Sequence, residues 1–281
     1  MKHNTKFLFI IFSVLLTFSA NNFNNKSELN QVSSEADSVL VPIIMYHRVY
    51  NHQEKGEHNI SPAELEADLK YLKEHGYNTV VIKDLIDFVY HNVPLPEKPI
   101  VLTFDDGNRS DYEILFPLLK QYDMKAVLSI IGKATDECSA PNQQGIRQPH
   151  LTWEQIEEIA KEDFVEFQNH SYNLHGDYGS LKRRSETTQT YQQRFSTDLL
   201  KLQALINEKI GIEPTTFTYP FGKISKESYG ALINAGFKSS LSCYKGNNKI
   251  VANKPETLFI LNRNNRPSGI GVEIILEEVN K

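Results

Sequence analysis

Two carboxylates stand side by side in "IVLTFDDGNRSD", where Asp105 and Asp106 end an apolar run and a glycine follows at once. Like charges repel and their desolvation is costly, so such a pair at the end of a buried strand calls for a compensating cation. Downstream, "FVEFQNHSYNLHGD" ends a second apolar run with His170 and sets His175 five residues later. One Asp and two His offer a carboxylate oxygen and two neutral imidazole nitrogens, a donor set that suits one divalent ion: zinc, and less exclusively cobalt, nickel or iron. Three protein ligands leave positions open for water and substrate, which makes the set catalytic in type. If one Asp ligates, the other is free to act as base, because a metal ion lowers the pKa of bound water from about 15.7 toward 7. Ligands on one face of a regular helix stand three or four apart, so His170 and His175 belong to a strand end and the loop after it.

A third strand end, "TTFTYPFGK", supplies a turn fixed by Pro220 and freed by Gly222, which can aim the backbone N–H of Phe221 at a developing oxyanion. Loss of one such donor typically costs roughly 3–4 kcal/mol of barrier. His47, after "PIIMY", either lines the same rim or caps its strand. Asn169 and Ser171 are expected to orient His170, and Asp111 to cap the helix at Tyr112. Trp153, beside the N-cap candidate Thr152, is expected in the core.

Chemistry from several strand ends converges only when the strands run parallel, because loops at their C-terminal ends then share one rim. The sequence has that rhythm. "VLVPIIMY", "YNTVVI", "PIVLTF", "KAVLSII", "FVEFQN", "TTFTYP", "FKSSLSC" and "TLFILNR" read as strands. Between them lie helical patterns such as "SPAELEADLKYLKEHG", with Ser61 as N-cap, Pro62 at the first helical position, Glu64 to complete a capping box and Gly76 as stop. Strand and helix alternation of this kind implies βαβ units, and seven or eight strands favour an irregular α/β barrel.

At these residues the chain resembles the NodB-like polysaccharide deacetylases, carbohydrate esterase family four. "TFDDG", "HSYNLH" and "YPFG" are similar, in order, to that family's first three motifs, and the resemblance runs roughly from Val41 to Arg263. It implies a distorted (β/α) barrel of about seven parallel strands, the NodB homology domain, and metal-dependent removal of acetyl groups from polysaccharides. Carried over residue by residue, it implies Asp105 as general base and Asp106, His170 and His175 as metal ligands. It further implies the Phe221 backbone as oxyanion donor, with Tyr219, Pro220 and Phe221 against the substrate. Two departures stand out. The five-residue histidine gap and "PIIMYHRV" resemble the branch that trims exported poly-N-acetylglucosamine, and Thr218 stands where the family often has an arginine that orients the base. Arg263 in "LNRNNR" is the candidate to replace that arginine. The family's late Leu-x-His acid has no counterpart, since no histidine follows His175, which leaves His47 or water as general acid.

The expected activity is N-deacetylation of an N-acetylglucosamine glycan, poly-N-acetylglucosamine or peptidoglycan. A glycan-binding module without turnover is the rival, and a metal phosphoesterase would need a second ligand cluster that the sequence does not offer. A formal net charge of -5 on 281 residues makes nucleic acid an unexpected partner. Lys2 and Lys6 precede an apolar stretch from Phe7 to Phe18, the layout of a secretory signal over residues 1–20. Phe18 sits where a small residue is preferred before a cut after Ala20, so retention as an uncleaved membrane anchor is the alternative. Either way the protein is expected outside the cytoplasm, secreted or at the cell surface. Residues 21–38 read as a polar linker and 39–281 as the catalytic domain, while the oligomeric state is left open. Cys138 and Cys243 could pair in an oxidising compartment or remain free thiols.

Overall fold

The computed structural model describes residues 37–50, 56–143, 145 and 149–279; the leader expected over 1–20 and all but the last two residues of the expected linker lie outside them. The chain enters with β1 (Ser38–Val41), β2 (Ile43–Tyr46), β3 (Arg48–Val49) and β4 (Asn59–Ile60). Then come α1 (Pro62–Glu74), β5 (Asn78–Thr79), α2 (Ile82–His91) and β6 (Pro99–Asp106). A π-helical turn over Asp111–Leu115 leads into α3 (Phe116–Tyr122), followed by β7 (Ala126–Ile130), α4 (Gly132–Cys138), α5 (Trp153–Ile159), β8 (Val165–Asn169) and α6 (Thr188–Ile210). The last part holds β9 (Thr216–Thr218), α7 (Ser228–Asn234), β10 (Ser239–Leu241), β11 (Asn248–Val251), β12 (Asn264–Asn265) and α8 (Val272–Val279).

Seven strands form one row, β10-β9-β8-β7-β6-β2-β12, with every neighbouring pair parallel. The two ends of the row are tied by one extended segment. Leu261 bridges to Leu241, and a few residues on Asn264 and Asn265 pair with Ile44 and Met45. The result is the expected distorted barrel. The late strand is not "TLFILNR", however: Pro255–Leu258 form a 3₁₀ turn, and the strand proper is only Asn264–Asn265. "VLVPIIMY" also splits, because β1 leaves the barrel to pair antiparallel with β11. Ser38 belongs to that strand, so ordered pairing begins one residue inside the expected linker.

Local chemistry explains the boundaries. Ser61 and Glu64 close a capping box at the head of α1 behind Pro62, and Gly76 just past its end takes φ +72°. "YNTVVI" shrinks to Asn78–Thr79 because the Asp84 carboxylate accepts from the Val81 N–H and starts α2 at Ile82. Thr152 caps α5 as expected, and Trp153 is buried with its Nε1 donating to Asp136.

Strand parity sorts the core into two layers. In β6, Ile100, Leu102 and Phe104 pack with Leu65, Leu69, Leu119, Ile156 and Ile275 of the surrounding helices. Val101 turns the other way, to Ile43, Val127, Leu241, Leu261 and the apolar face of α2. Thr103 and Asp105 continue that inner face toward the C-terminal rim. Polarity is therefore stacked along the barrel interior, apolar below and polar above.

Candidate active site

Asp105 reaches the rim in a fully buried ion pair. Arg263 Nη1 and Nη2 fork onto its two oxygens at 2.7 and 2.8 Å, while Nε donates to the Ser242 carbonyl at 2.7 Å and Nη1 also approaches Thr103 Oγ1 at 3.2 Å. Burial alone would raise the Asp105 carboxyl, but the guanidinium outweighs it and holds the group below the usual carboxylate range. Three residues on, the other arginine of "NRNNR" is used differently. Arg266 forks onto Asp68 of α1, and Tyr46 Oη donates to the same carboxylate, which pins this segment to the helix layer.

Asp106 departs from the strand at φ +78°, and Gly107 follows at +65°. A Cβ on Gly107 would sit 2.9 Å from Ile130 Cγ2, so only glycine fits beneath this turn. The twist brings Asp106 Oδ1 to 3.5 Å from His170 Nε2 and 3.2 Å from His175 Nε2. Oδ1 is buried and has no hydrogen-bond partner, and one donor atom from each of the three side chains lies within 4.8 Å of the others. An orphaned carboxylate oxygen facing two imidazole nitrogens is the arrangement that a divalent ion would complete, so the residues fit the expected metal. Against the cost of burial, the two imidazoles hold the Asp106 carboxyl below its usual range.

The histidine loop is held from behind. His170 Nδ1 bonds the Thr218 carbonyl at 2.8 Å, which leaves Nε2 free to face Asp106. Orientation of His170 thus comes from Thr218 and not from Asn169 or Ser171, the residues expected to supply it. Asn169 instead accepts from the Ser171 N–H at 2.8 Å and holds that residue at φ +74°. The Asp198 carboxylate, from α6, accepts from the Tyr172 and Asn173 N–H groups at 2.8 and 2.9 Å and fixes the chain between the two histidines.

Beyond β9, Phe221 takes φ +57° in a short 3₁₀ turn whose own bonds use the Gly222 and Lys223 N–H groups. Its ring, 55% exposed, lies 4.4 Å from the His175 ring. Tyr219 and Pro220 do not line the cavity. Tyr219 is buried against Phe217 with its hydroxyl on Ser228 Oγ, because it shares the helix-facing parity of Phe217 and enters an aromatic cluster under α6 and α7, and Pro220 is buried beside it. Asp111 also differs from expectation. Its carboxyl is fully buried without a hydrogen-bond partner in the π-helical turn and caps nothing, while Ser110 accepts from the Val49 N–H.

These groups share a cavity of about 470 Å³ lined by Met45, His47, Arg48, His58, Asp105, Asp106, Asn108, His170, His175, Phe221 and Cys243, with Asn59 at its edge. His47 Nδ1 is buried without a partner, and its ring lies 4.5 Å from that of His58. Burial lowers the His47 pKa against the pull of both carboxylates. On the far side of Asp106 a second hollow of about 350 Å³ holds His150, whose Nδ1 is 3.2 Å from the Asp106 carbonyl oxygen. A larger cavity of about 730 Å³ lies at the opposite strand ends, around Thr79 and Lys125, and is lined by none of the residues of the Asp105–Asp106 cavity. Both cysteines are free, Cys138 buried and Cys243 half-buried in the cavity wall. As site residues, Asn108, His150, Asp198 and Cys243 escaped the sequence reading. Asn108 had a signal, since it directly follows "DDG"; the others are far from any motif.

A family model described as polysaccharide deacetylase matches residues 92–240, over half of the chain. The chain is 28% identical over 201 residues to a poly-beta-1,6-N-acetyl-D-glucosamine N-deacetylase of Escherichia coli (strain K12), covering 64% of this chain and 30% of that protein. It therefore spans less than a third of the length of that relative. A protein of the same name from Staphylococcus aureus (strain MSSA476) is 22% identical over 259 residues, covering 84% of this chain and 85% of that one. Among solved structures, a de-N-acetylase from Aggregatibacter actinomycetemcomitans superposes with a TM-score of 0.73 at 25% identity, covering 85% of this chain and 99% of the other.

Proposed function

The chain belongs to the polysaccharide deacetylase family, and from that premise we propose that it hydrolyses the N-acetyl groups of an N-acetylglucosamine polymer, releasing acetate and leaving free amines. Poly-β-1,6-N-acetylglucosamine is the favoured substrate, in line with the activity named for its relatives, and peptidoglycan is the second. The observation that carries the reading is one cavity in which Asp106, His170 and His175 converge beside a buried, arginine-forked Asp105.

Asp106, His170 and His175 would hold one divalent ion, zinc by the preference of this donor set, and bound there it would supply Lewis acidity and a lowered pKa for water. Asp105, kept ionised by Arg263, takes the proton of the attacking water. The Phe221 N–H donates to the substrate carbonyl oxygen as negative charge builds there. His47 stands across the cavity with an uncommitted nitrogen and gives a proton to the departing amine. Asp198 and Asn169 keep the histidine loop in place. The N-terminal apolar segment serves export, which puts the enzyme where such polymers lie.

The test is acetate release from poly-N-acetylglucosamine, peptidoglycan, chitin oligomers and acetylated xylan, with zinc or cobalt added. Release from the first polymer should vanish in both Asp105→Asn and Asp106→Ala, with metal lost only in Asp106→Ala. Bound metal with no release from any polymer would turn the reading toward a glycan-binding module.

A further inference from the structure

Hydrolysis of an N-acetyl group turns a neutral sugar into a cation, because the freed amine takes up a proton near neutral pH. A polymer acted on in this way gains one positive charge at each site of reaction, and fixed charges around the cavity mouth meet that change directly. At about 470 Å³ the cavity has the size of a site for one small ligand, so the reacting sugar fills it and its neighbours in the polymer lie over the rim.

Two cations are anchored on that rim. Arg48 is exposed just beyond β2 and lines the cavity, with its Nε 3.5 Å from Asn108 Oδ1 and its guanidinium 5.7 Å from the centroid of the Tyr50 ring. Asn108 in turn donates to the Asp105 carbonyl at 3.0 Å, which ties Arg48 to the turn that carries the two carboxylates. Lys223 closes the turn after β9. Its Nζ donates to the Asp177 carbonyl and stands 4.8 Å from the centroid of the Phe221 ring, itself part of the cavity wall. β8, β7 and β6 separate β9 from β2 in the strand row, so the two cations face each other across the mouth. Among the described residues neither forms an ion pair with a carboxylate, whereas Lys133, at the second hollow, stands 3.8 Å from Glu137 Oε1. Inside the cavity Asp105 is already matched by Arg263, and Asp106 belongs to the ligand set of a divalent ion. Nothing there offsets the two rim charges, although the chain as a whole carries a formal net charge of -5.

We propose that Arg48 and Lys223 read the charge of the sugars flanking the reacting one, admitting neutral neighbours and repelling a glucosammonium. The proposal rests on the deacetylase reading. Its consequence is spacing: once one sugar has lost its acetyl group, the sugars beside it become poorer substrates, and the amines are laid down apart along the polymer.

The experiment uses two β-1,6-linked trisaccharides whose central sugar is N-acetylglucosamine and whose outer sugars are glucose in one and glucosamine in the other, at a pH where the amines are protonated. Only the central sugar can release acetate, and the outer sugars differ by a hydroxyl against an ammonium. A like-charge contact at a solvated rim is worth about twofold to fivefold. With one on each side, kcat/KM for the glucose-flanked substrate should exceed that for the glucosamine-flanked one by about tenfold. The ratio should fall below about threefold in the double variant Arg48→Gln, Lys223→Gln, while Arg48→Lys, which keeps the charge, retains it. It should also fall as NaCl rises from about 0.01 to about 1 M, which shortens the Debye length from about 30 to about 3 Å. On poly-N-acetylglucosamine, nitrous acid cleavage at the free amines reports their spacing: adjacent amines should be rarer than random with the unmodified chain and return toward random with the double variant. A ratio near one at low salt, or one that neither the double variant nor salt lowers, overturns the proposal. Random spacing by the unmodified chain overturns it too, even where the trisaccharides are too short to react. No acetate from the polymer or from either trisaccharide would instead overturn the deacetylase reading, and the charge reading with it.

Discussion

Removing either partner of the Asp105–Arg263 pair should destabilise the fold nearly as much as removing both. Their side chains are 3% and 0% exposed, which excludes the regime of surface ion pairs worth about 0–1 kcal/mol. Two charge-assisted bonds, at 2.7 and 2.8 Å, are worth about 1.5–3 kcal/mol each, and whichever partner remains is left as an uncompensated buried group. Arg263→Met should therefore cost about 3–5 kcal/mol, and Asp105→Asn a similar amount. For a domain of this size that is a fall in Tm of about 6–20 °C. The double variant should cost only slightly more than either single one, a coupling of about 2–3 kcal/mol. Urea unfolding of the four proteins of the cycle measures it. Singles costing under about 1 kcal/mol, or costs that add within about 0.5 kcal/mol, would refute the argument that this pair is buried and interdependent. Burial acts to raise Asp105 and Arg263 to lower it, so in Arg263→Met the acid limb of kcat/KM should also move to higher pH.

Gly107→Ala combines a left-handed backbone with a 2.9 Å approach to Ile130; it should cost at least about 1–2 kcal/mol, and an unchanged urea midpoint would contradict that packing. Asp198→Ala frees the loop between His170 and His175 and should weaken zinc binding by about 10–100-fold in calorimetric titration, with Asp198→Asn weakening it less. Burial raises Glu64, but the Ser61, Gly269 and Ser268 donors outweigh it and hold its carboxyl at about 2, below an unfolded value of about 4.3. Its contribution is thus complete above about pH 5 and lost as pH falls toward 2, so Glu64→Gln should cost, after allowance for solvent screening, about 1 kcal/mol at neutral pH and almost nothing near pH 2.

Much of the site was legible because its chemistry is local. A strand end presents adjacent residues at one rim, so "TFDDG", "NHSYNLH" and "TYPFG" each announce a turn and its ligands without reference to the rest of the chain. Helix boundaries were legible for the same reason, since the capping groups at Ser61, Glu64 and Thr152 lie within one turn of the ends they fix. Side-chain direction was less so. Tyr219 lies two residues before Phe221 in the sequence, yet strand parity and the aromatic cluster behind β9 carry it away from the cavity.

By itself the sequence determined the alternation of strands and helices, the carboxylate pair and the histidine pair, because these rest on periodicity and residue type within a few positions. Only the tertiary structure decided the partners contributed over long distances. "NRNNR" holds two arginines three residues apart, and nothing local says that Arg263 belongs to Asp105 and Arg266 to Asp68. Closure of the barrel decides it. The segment that joins β10 to β2 is extended, so Arg263 points down the polar interior while Arg266, where the chain leaves the rim, meets α1. Asp198, Cys243 and His150 reach the site in the same way, through packing between elements distant in the chain, a quantity that no short stretch of sequence contains.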